Sequence, residues 1–178
     1  RVYRSKEGAT GVPPVEMIRA AMRRAQQTRP KVLFLCTGNS CRSQMAEGWA
    51  RHLKGDVIEA YSAGLEACGL NPKAVQVMAE AGVDISQQKS KNVMGLLDIP
   101  FDYVITVCGH ADENCPVFPG TTKVIHRGFD DPPRLALSAR TEDEAMNNYR
   151  RVRDEIREYI ASLPDALPSN MEINRGKA

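Results

Sequence analysis

Apolar positions along this chain change their period several times, and each change marks an element. Lys31 to Cys36 is an unbroken apolar run of strand length, and Ser43 to Lys54 then places Met45, Trp49 and Leu53 on one helix face. Val57 to Ser62 predicts a second strand, ending in a turn at Gly64. Asn71-Pro72 caps and starts a helix expected to turn Val75, Met78 and Ala79 inward and to stop at Gly82. Ser90 to Leu97 predicts another short helix. Tyr103 to Cys108 reads as a buried parallel strand, and Val124-Ile125 as a fourth, shorter one. Thr141 and Glu144 form a capping box for the last helix, whose stripe is Tyr149, Val152, Ile156, Ile160 and Leu163. This order implies an α/β fold: a four-stranded parallel sheet covered by helices on both faces, with ligand at the carboxyl ends of the strands. Cys36 and Cys108 both fall at such ends.

Ahead of this pattern the first dozen residues look loose. Pro13-Pro14 then precedes an amphipathic helix over Val15 to Ala25, with Val15, Ile18, Met22 and Ala25 on one face and Arg19, Arg23 and Arg24 on the other. A helix packing on the domain or a neighbour, a connector from an upstream domain, and an Arg-rich targeting segment are its readings, in that order. A start at Arg1 implies a fragment or a processed form. The expected division is a basic extension over 1–30, a catalytic domain over 31–163 and a mobile polar tail over 164–178.

Composition narrows the functional classes. The formal charge of +2 divides into +5 over residues 1–30 and −3 over the rest, so the catalytic body is mildly acidic and gives no reason to invoke nucleic acid. Five cysteines, an odd number without a small scaffold's density, argue against a disulfide framework and for a reducing cytoplasm. There is no Cys-x2-Cys or His-x3-5-His pair, which disfavours structural zinc. No apolar run is long enough for a membrane span, and none precedes a cleavage-like site.

The chemistry concentrates in Cys36-Thr37-Gly38-Asn39-Ser40-Cys41-Arg42-Ser43. A cysteine and an arginine bracket five residues between a strand and a helix. Such a loop directs backbone N–H groups and a helix N-terminus into one concavity, where the Arg42 fork joins them in holding a tetrahedral dianion. The same surroundings favour a nucleophilic thiolate at Cys36. Gly38 and Asn39 suit a tight loop because both tolerate positive φ. No Gly-x4-Gly-Lys-Ser/Thr occurs, so this is not a nucleotide loop.

Two further thiols, Cys108 and Cys115, lie seven residues apart across a polar segment. Spacing alone leaves two readings open: a redox pair whose segment changes shape, or one core and one surface cysteine. Cys41 and Cys68 read as packed or incidental thiols and Trp49 as core. His110 reads as a solvated loop residue; His52 and His126 carry no catalytic role. Asp130-Asp131 before Pro132 is either a solvated turn or a source of a general acid.

Val32 to Trp49 closely resembles the opening of the thioredoxin-coupled arsenate reductases, which share the low-molecular-weight protein-tyrosine phosphatase fold of three layers. The likeness continues through Tyr61-Ser62-Ala63-Gly64, Asn71-Pro72-Lys73-Ala74, Val104 to Cys108, Asn114-Cys115-Pro116, Gly128 to Pro132 and the Arg151 to Ile156 segment. The resemblance implies a reaction in which Thr37 to Ser43 bind arsenate, with phosphate or sulfate as competitors. Cys36 attacks arsenic, Arg42 holds the developing charge, and Asp131, in preference to Asp130, protonates the leaving hydroxide. Cys108 then releases arsenite, and Cys115 draws the disulfide onto Cys108 and itself, for reduction by thioredoxin or a similar dithiol protein. Ser43 and Asn39 would hydrogen-bond the thiolate and shape the loop. No bound cofactor is implied. Some members hold potassium through an asparagine, a glutamate, a serine and an aspartate. Asn39, Glu47 and Ser62 match, but Lys91 stands at the aspartate's place, so a fixed ammonium is expected and no metal.

A low-molecular-weight tyrosine phosphatase is the first alternative, although Pro133-Arg134-Leu135 replaces the aromatic residues that line a phosphotyrosine cleft in that family. The second is a non-catalytic trithiolate sensor binding arsenite through Cys36, Cys108 and Cys115.

Overall fold

The computed structural model describes residues 14–27 and 29–168. The loose first dozen residues and the tail from 169 onward lie outside them. Four parallel strands, β1 (Lys31–Cys36), β2 (Glu59–Gly64), β3 (Tyr103–Thr106) and β4 (Lys123–His126), form one sheet in the order β2-β1-β3-β4. The helices are α1 (Val15–Gln27), α2 (Arg42–Lys54), α3 (Pro72–Glu80), α4 (Gly109–Glu113), α5 (Pro132–Ala136) and α6 (Glu142–Ala161).

Strand order explains where a ligand can sit. The chain leaves β1 to one side to make β2, then returns across β1 to make β3, so the connections diverge between the carboxyl ends of β1 and β3. In a parallel α/β sheet that divergence opens a crevice. β1 ends at Cys36 and β3 ends two residues before Cys108. The core is continuous with the sheet: Val32, Leu33, Phe34 and Leu35 have no exposed surface, as a strand covered on both faces requires. On α6 the stripe Tyr149, Val152, Ile156 and Ile160, continued by Leu163, is buried, and the helix packs against α2, α3 and α5.

Several boundaries differ from the sequence expectation, each for a local reason. β2 begins at Glu59, opposite Lys31, because Val57 and Ile58 both donate to the Lys54 carbonyl and extend the end of α2. The inward face of α3 is Ala74, Val77 and Met78; Ala79 is exposed and Val75 half-buried. Over 90–97 only Val93–Leu96 is helical, as one 3-10 turn whose Asn92 side chain accepts from Met94 N. β3 stops at Thr106. Helix α5, which was not expected, starts at Pro132, and proline is favoured at a first helical position because it has no N–H to leave unpaired. On α1, Val15, Met17, Ile18 and Met22 are exposed, so these residues do not pack on the domain, and of the first reading only packing on a neighbour is left open.

The caps are built as the sequence implies. Asn71 Oδ1 accepts from Lys73 N and Ala74 N, and Thr141 Oγ1 accepts from Glu144 N. The reciprocal limb of the capping box reaches one residue further back, from Arg140 N to Glu144 Oε2 at 2.8 Å.

Gly64 closes the sheet against the loop that follows β1. A Cβ there would stand 2.5 Å from Asn39 N, 2.7 Å from the Thr37 carbonyl and closer still to the Glu66 carbonyl, all backbone atoms that cannot swing aside. Gly64→Ala is expected to cost roughly 3 kcal/mol of stability in urea denaturation, at the upper end for overpacking. A loss below about 1 kcal/mol would show that the loop backbone is not held there.

Candidate active site

Residues Cys36 to Ser40 have their carbonyls occupied from outside. Leu65 N donates to Cys36 O, Glu66 N to Thr37 O, Cys68 N and Ser90 Oγ to Gly38 O, Gln44 Nε2 to Asn39 O, and Asn71 N to Ser40 O. Because each trans peptide sets its C=O and the next N–H in opposite directions, pulling five carbonyls outward aims the amides of residues 37 to 41 inward. One of them, Asn39 N, donates to Cys36 Sγ at 3.2 Å. The concavity is therefore a nest of donors with a sulfur at its base, which suits an oxyanion. Asn39 has φ 45°, as expected for this residue type. Gly38 serves by size, not by positive φ: a Cβ would meet Cys68 Sγ at 2.9 Å.

Asn39 is fully buried and every polar group of its side chain is paired. Its Oδ1 accepts from Lys91 N and Gln44 Nε2, and its Nδ2 donates to Ser43 Oγ and Ser62 Oγ, both at 2.9 Å. Since Ser43 Oγ receives that N–H, its own proton is free to point to Cys36 Sγ, 2.8 Å away. Ser43 thus donates toward the sulfur. Sequence reasoning singled out Asn39 and Ser43 but missed Gln44 and the contacts that Ser90 and the backbone N–H of Asn71 make to the loop. The one signal for Gln44 was a polar residue on a helix face that turns out wholly buried.

Arg42 opens α2 beside this nest. Its Nη2 lies 3.1 Å from Asp131 Oδ1 and its Nη1 donates to Phe129 O at 2.9 Å. Asp130 points elsewhere, onto Arg151 Nη2 at 3.0 Å. A cleft of about 510 Å³ adjoins this pair, lined by Arg42, Asp131, Phe129, Arg134, Leu135 and Ser138. These two contacts use two of the five N–H donors of the guanidinium and leave the others for a ligand.

The second thiol reaches the same loop. Cys108 is 5% exposed and is the N-cap of α4; its Sγ accepts from Ala111 N and lies within hydrogen-bonding reach of Thr37 Oγ1, both at 3.4 Å. Cys115 follows the other end of α4 and is half-buried, with its thiol held above the ordinary range first by that burial and then by the Asp112 carboxylate. Burial pushes Cys41 much further up, so that thiol stays protonated at neutral pH. All five cysteines are free, and Cys68 is exposed.

At the positions that match the potassium ligands of some members of the resembled family, a lysine ammonium stands beside the buried carboxylate. Glu47, 2% exposed, accepts from Ser62 Oγ and is flanked by two cations: Arg51 at one oxygen and Lys91 Nζ at 3.5 Å from the other. Lys91 Nζ also donates to Lys89 O at 2.8 Å, which fixes the ammonium beside the carboxylate. Among the described residues no group of three or more His, Cys, Asp or Glu side chains is arranged to hold a metal.

Comparison with known proteins places this geometry in context. A family model described as low molecular weight phosphotyrosine protein phosphatase matches residues 31–172. An arsenate reductase of Bacillus licheniformis is 52% identical over 133 residues, 75% of this chain and 94% of that protein. The solved structure of an arsenate reductase in the phosphate-binding state superposes with a TM-score of 0.60 at 32% identity, covering 78% of this chain and 99% of the other. A thioredoxin-dependent arsenate reductase of Corynebacterium glutamicum superposes with a TM-score of 0.55 at 28% identity, covering 83% of this chain and 68% of the other.

Asn39→Ala should remove the buried hub of the loop. The expected loss is about 2–4 kcal/mol in urea denaturation, since several buried partners are left unsatisfied, together with the loss of the phosphate-dependent rise in Tm expected of the parent protein. An unchanged phosphate-dependent rise in the variant would contradict the hub.

Proposed function

The chain belongs to the low molecular weight phosphotyrosine protein phosphatase family, and within it we propose that residues 31–163 reduce arsenate to arsenite through a relay of Cys36, Cys108 and Cys115. The observation that carries this reading is the second thiol: Cys108 caps a helix and faces Thr37, the residue after the nucleophile. A phosphatase needs nothing at that position; a reductase needs a thiol there.

In the proposed cycle the amides of Thr37 to Ser43 and the guanidinium of Arg42 hold arsenate while Cys36 Sγ attacks arsenic. Asp131, at the mouth of the loop, protonates the departing hydroxide. Cys108 then attacks Cys36 Sγ; the sulfur–arsenic bond breaks with its electron pair going to arsenic, which leaves as arsenite, and a Cys36–Cys108 disulfide remains. Cys115 attacks Cys108, Cys36 departs as thiolate, and the resulting Cys108–Cys115 disulfide passes its oxidising equivalents to a thioredoxin-like protein. The thioredoxin-dependent relative supports that choice of reductant, and five free thiols suit a cytoplasmic, reducing setting.

A weak phosphatase activity is proposed for the same loop, because aryl phosphate hydrolysis uses only Cys36, Arg42 and Asp131. Tyrosine specificity is not proposed: Arg134 and Leu135 of α5 and Ser138 just beyond it line the cleft at the positions after the Asp-Pro pair, leaving Phe129 as its one aromatic residue. A passive arsenite sensor would have no use for the Arg42–Asp131 pair. The fixed Lys91 ammonium beside Glu47 predicts turnover that potassium alters no more than sodium does at equal ionic strength.

Four substitutions test the assignment. In a coupled assay with thioredoxin, thioredoxin reductase and NADPH, Cys108→Ser and Cys115→Ser should each abolish arsenate-dependent NADPH oxidation while p-nitrophenyl phosphate hydrolysis persists. Cys115→Ser should also release one arsenite and stop as the Cys36–Cys108 disulfide. Loss of both activities together, or continued NADPH oxidation without Cys115, would contradict the relay. Asp131→Asn should slow reaction at Cys36 about 10²–10⁴-fold, and Asp130→Asn less than about fivefold; the reverse order would move the acid to Asp130.

A further inference from the structure

Thr106 is the polar residue in an otherwise apolar stretch of β3, and it has no exposed surface. A buried hydroxyl requires partners, and here they come from two other elements. Thr106 Oγ1 lies 2.9 Å from Asp112 Oδ1 on α4 and 2.9 Å from His126 Nδ1 at the end of β4. An ionised carboxylate only accepts, so Thr106 donates to Asp112 and takes the Nδ1–H of His126, whose ring nitrogen is 3.7 Å from the same carboxylate oxygen. The result is a directed chain, His126 to Thr106 to Asp112. It joins the sheet to the middle of the segment between Cys108 and Cys115.

That segment cannot keep its shape when the two thiols join. Cys108 is the N-cap and Asn114 the C-cap of α4, so a helical path to Cys115 spans about 10 Å at ~1.5 Å per residue. A disulfide needs Cα atoms within roughly 4.4–6.8 Å. Closing the pair therefore opens α4, including the Asp112 N to Cys108 O bond of 3.1 Å that makes its first turn. Asp112 belongs to that turn.

We propose that Asp112, Thr106 and His126 form a latch that holds the relay segment helical in the dithiol state and is released when the Cys108–Cys115 disulfide forms. The inference rests on the relay reading. In the exchange itself the S108–S115 bond forms as S36–S108 breaks, Cys36 leaves as thiolate, and the proton of Cys115 goes to solvent. The latch takes no part in that chemistry and acts by position. By stabilising the reduced form alone, it makes the disulfide a stronger oxidant and so easier for a dithiol protein to reduce. Opening leaves the Thr106 hydroxyl with the longer 3.4 Å contact to the Ile125 carbonyl in place of the 2.9 Å bond to its carboxylate, which adds to the cost of the oxidised form.

The readout is the reduction potential of the Cys108–Cys115 couple in the full chain, set with dithiothreitol buffers and scored by mass spectrometry of alkylated peptides. Thr106→Val keeps the side chain's shape and removes the hydroxyl. It should shift the equilibrium about tenfold toward the disulfide, equivalent to about 30 mV more negative for a two-electron couple; Thr106→Ser should restore the parent value to within about twofold. Asp112→Ala, changed from the exposed side, should shift the couple in the same direction and add little to Thr106→Val in the double variant, and it carries the test if Thr106→Val does not fold. A parent couple that the variants leave unmoved, or move toward the dithiol, would overturn the latch alone. A parent protein that forms no Cys108–Cys115 bond would overturn the relay and the latch with it.

Discussion

The outward pull on five consecutive carbonyls after β1 is the constraint on which this site depends. Donors for Cys36 to Ser40 come from the loop after β2, from α2, from the start of α3 and from the segment at 90. None of those contacts touches a substrate. Together they orient the peptide planes so that the amides turn into the concavity, where one of them, Asn39 N, reaches the sulfur of Cys36, and the Asn39 hub fixes them further. Preorganised donors of this kind need no rearrangement when charge develops on a bound oxyanion.

Sheet topology adds the second half of the chemistry. Because β1 and β3 are hydrogen-bonded neighbours whose chains leave in opposite directions, a nucleophile ending β1 and a thiol just past β3 arrive at one crevice with no long-range folding of loops. The two parts differ in rigidity by design of their contacts. The nucleophile's loop is braced on several sides, whereas α4 is five residues long and holds to the body mainly through the Ala111 methyl and the Asp112 side chain. In the proposed relay, the redox step falls to this short, lightly anchored element, which has Cys108 as its N-cap and Cys115 just past its other end.

How much of this was legible in the sequence depended on separation along the chain. The run Lys31 to Cys36, the loop and α2 were readable because a fully buried strand, a polar nest and an amphipathic helix each leave a local signature. The α6 stripe was readable for the same reason. The bracing was not: Gln44 to Lys89 O, Ser90 to Gly38 O and Lys91 N to Asn39 bridge 45 to 52 residues and leave no periodicity. The extent of β2 was misjudged because the end of α2 captures Val57 and Ile58. Helix α5 was missed because it is only five residues long and opens on two prolines, although the first of them occupies a favoured helix-start position. The choice of Asp131 over Asp130 came from family likeness; in the structure one carboxylate meets Arg42 and its neighbour meets Arg151.

The account's central claim is that reducing equivalents for one arsenate come from this chain's own thiols. Fully reduced protein mixed with excess arsenate, with no external reductant, measures it directly when arsenite and protein disulfides are counted in the same quenched sample. The account predicts one arsenite per chain, the loss of two thiols, and a single bond joining Cys108 to Cys115. Arsenite appearing while all five thiols remain free, no arsenite at all, or a bond that engages Cys41 or Cys68 would contradict it.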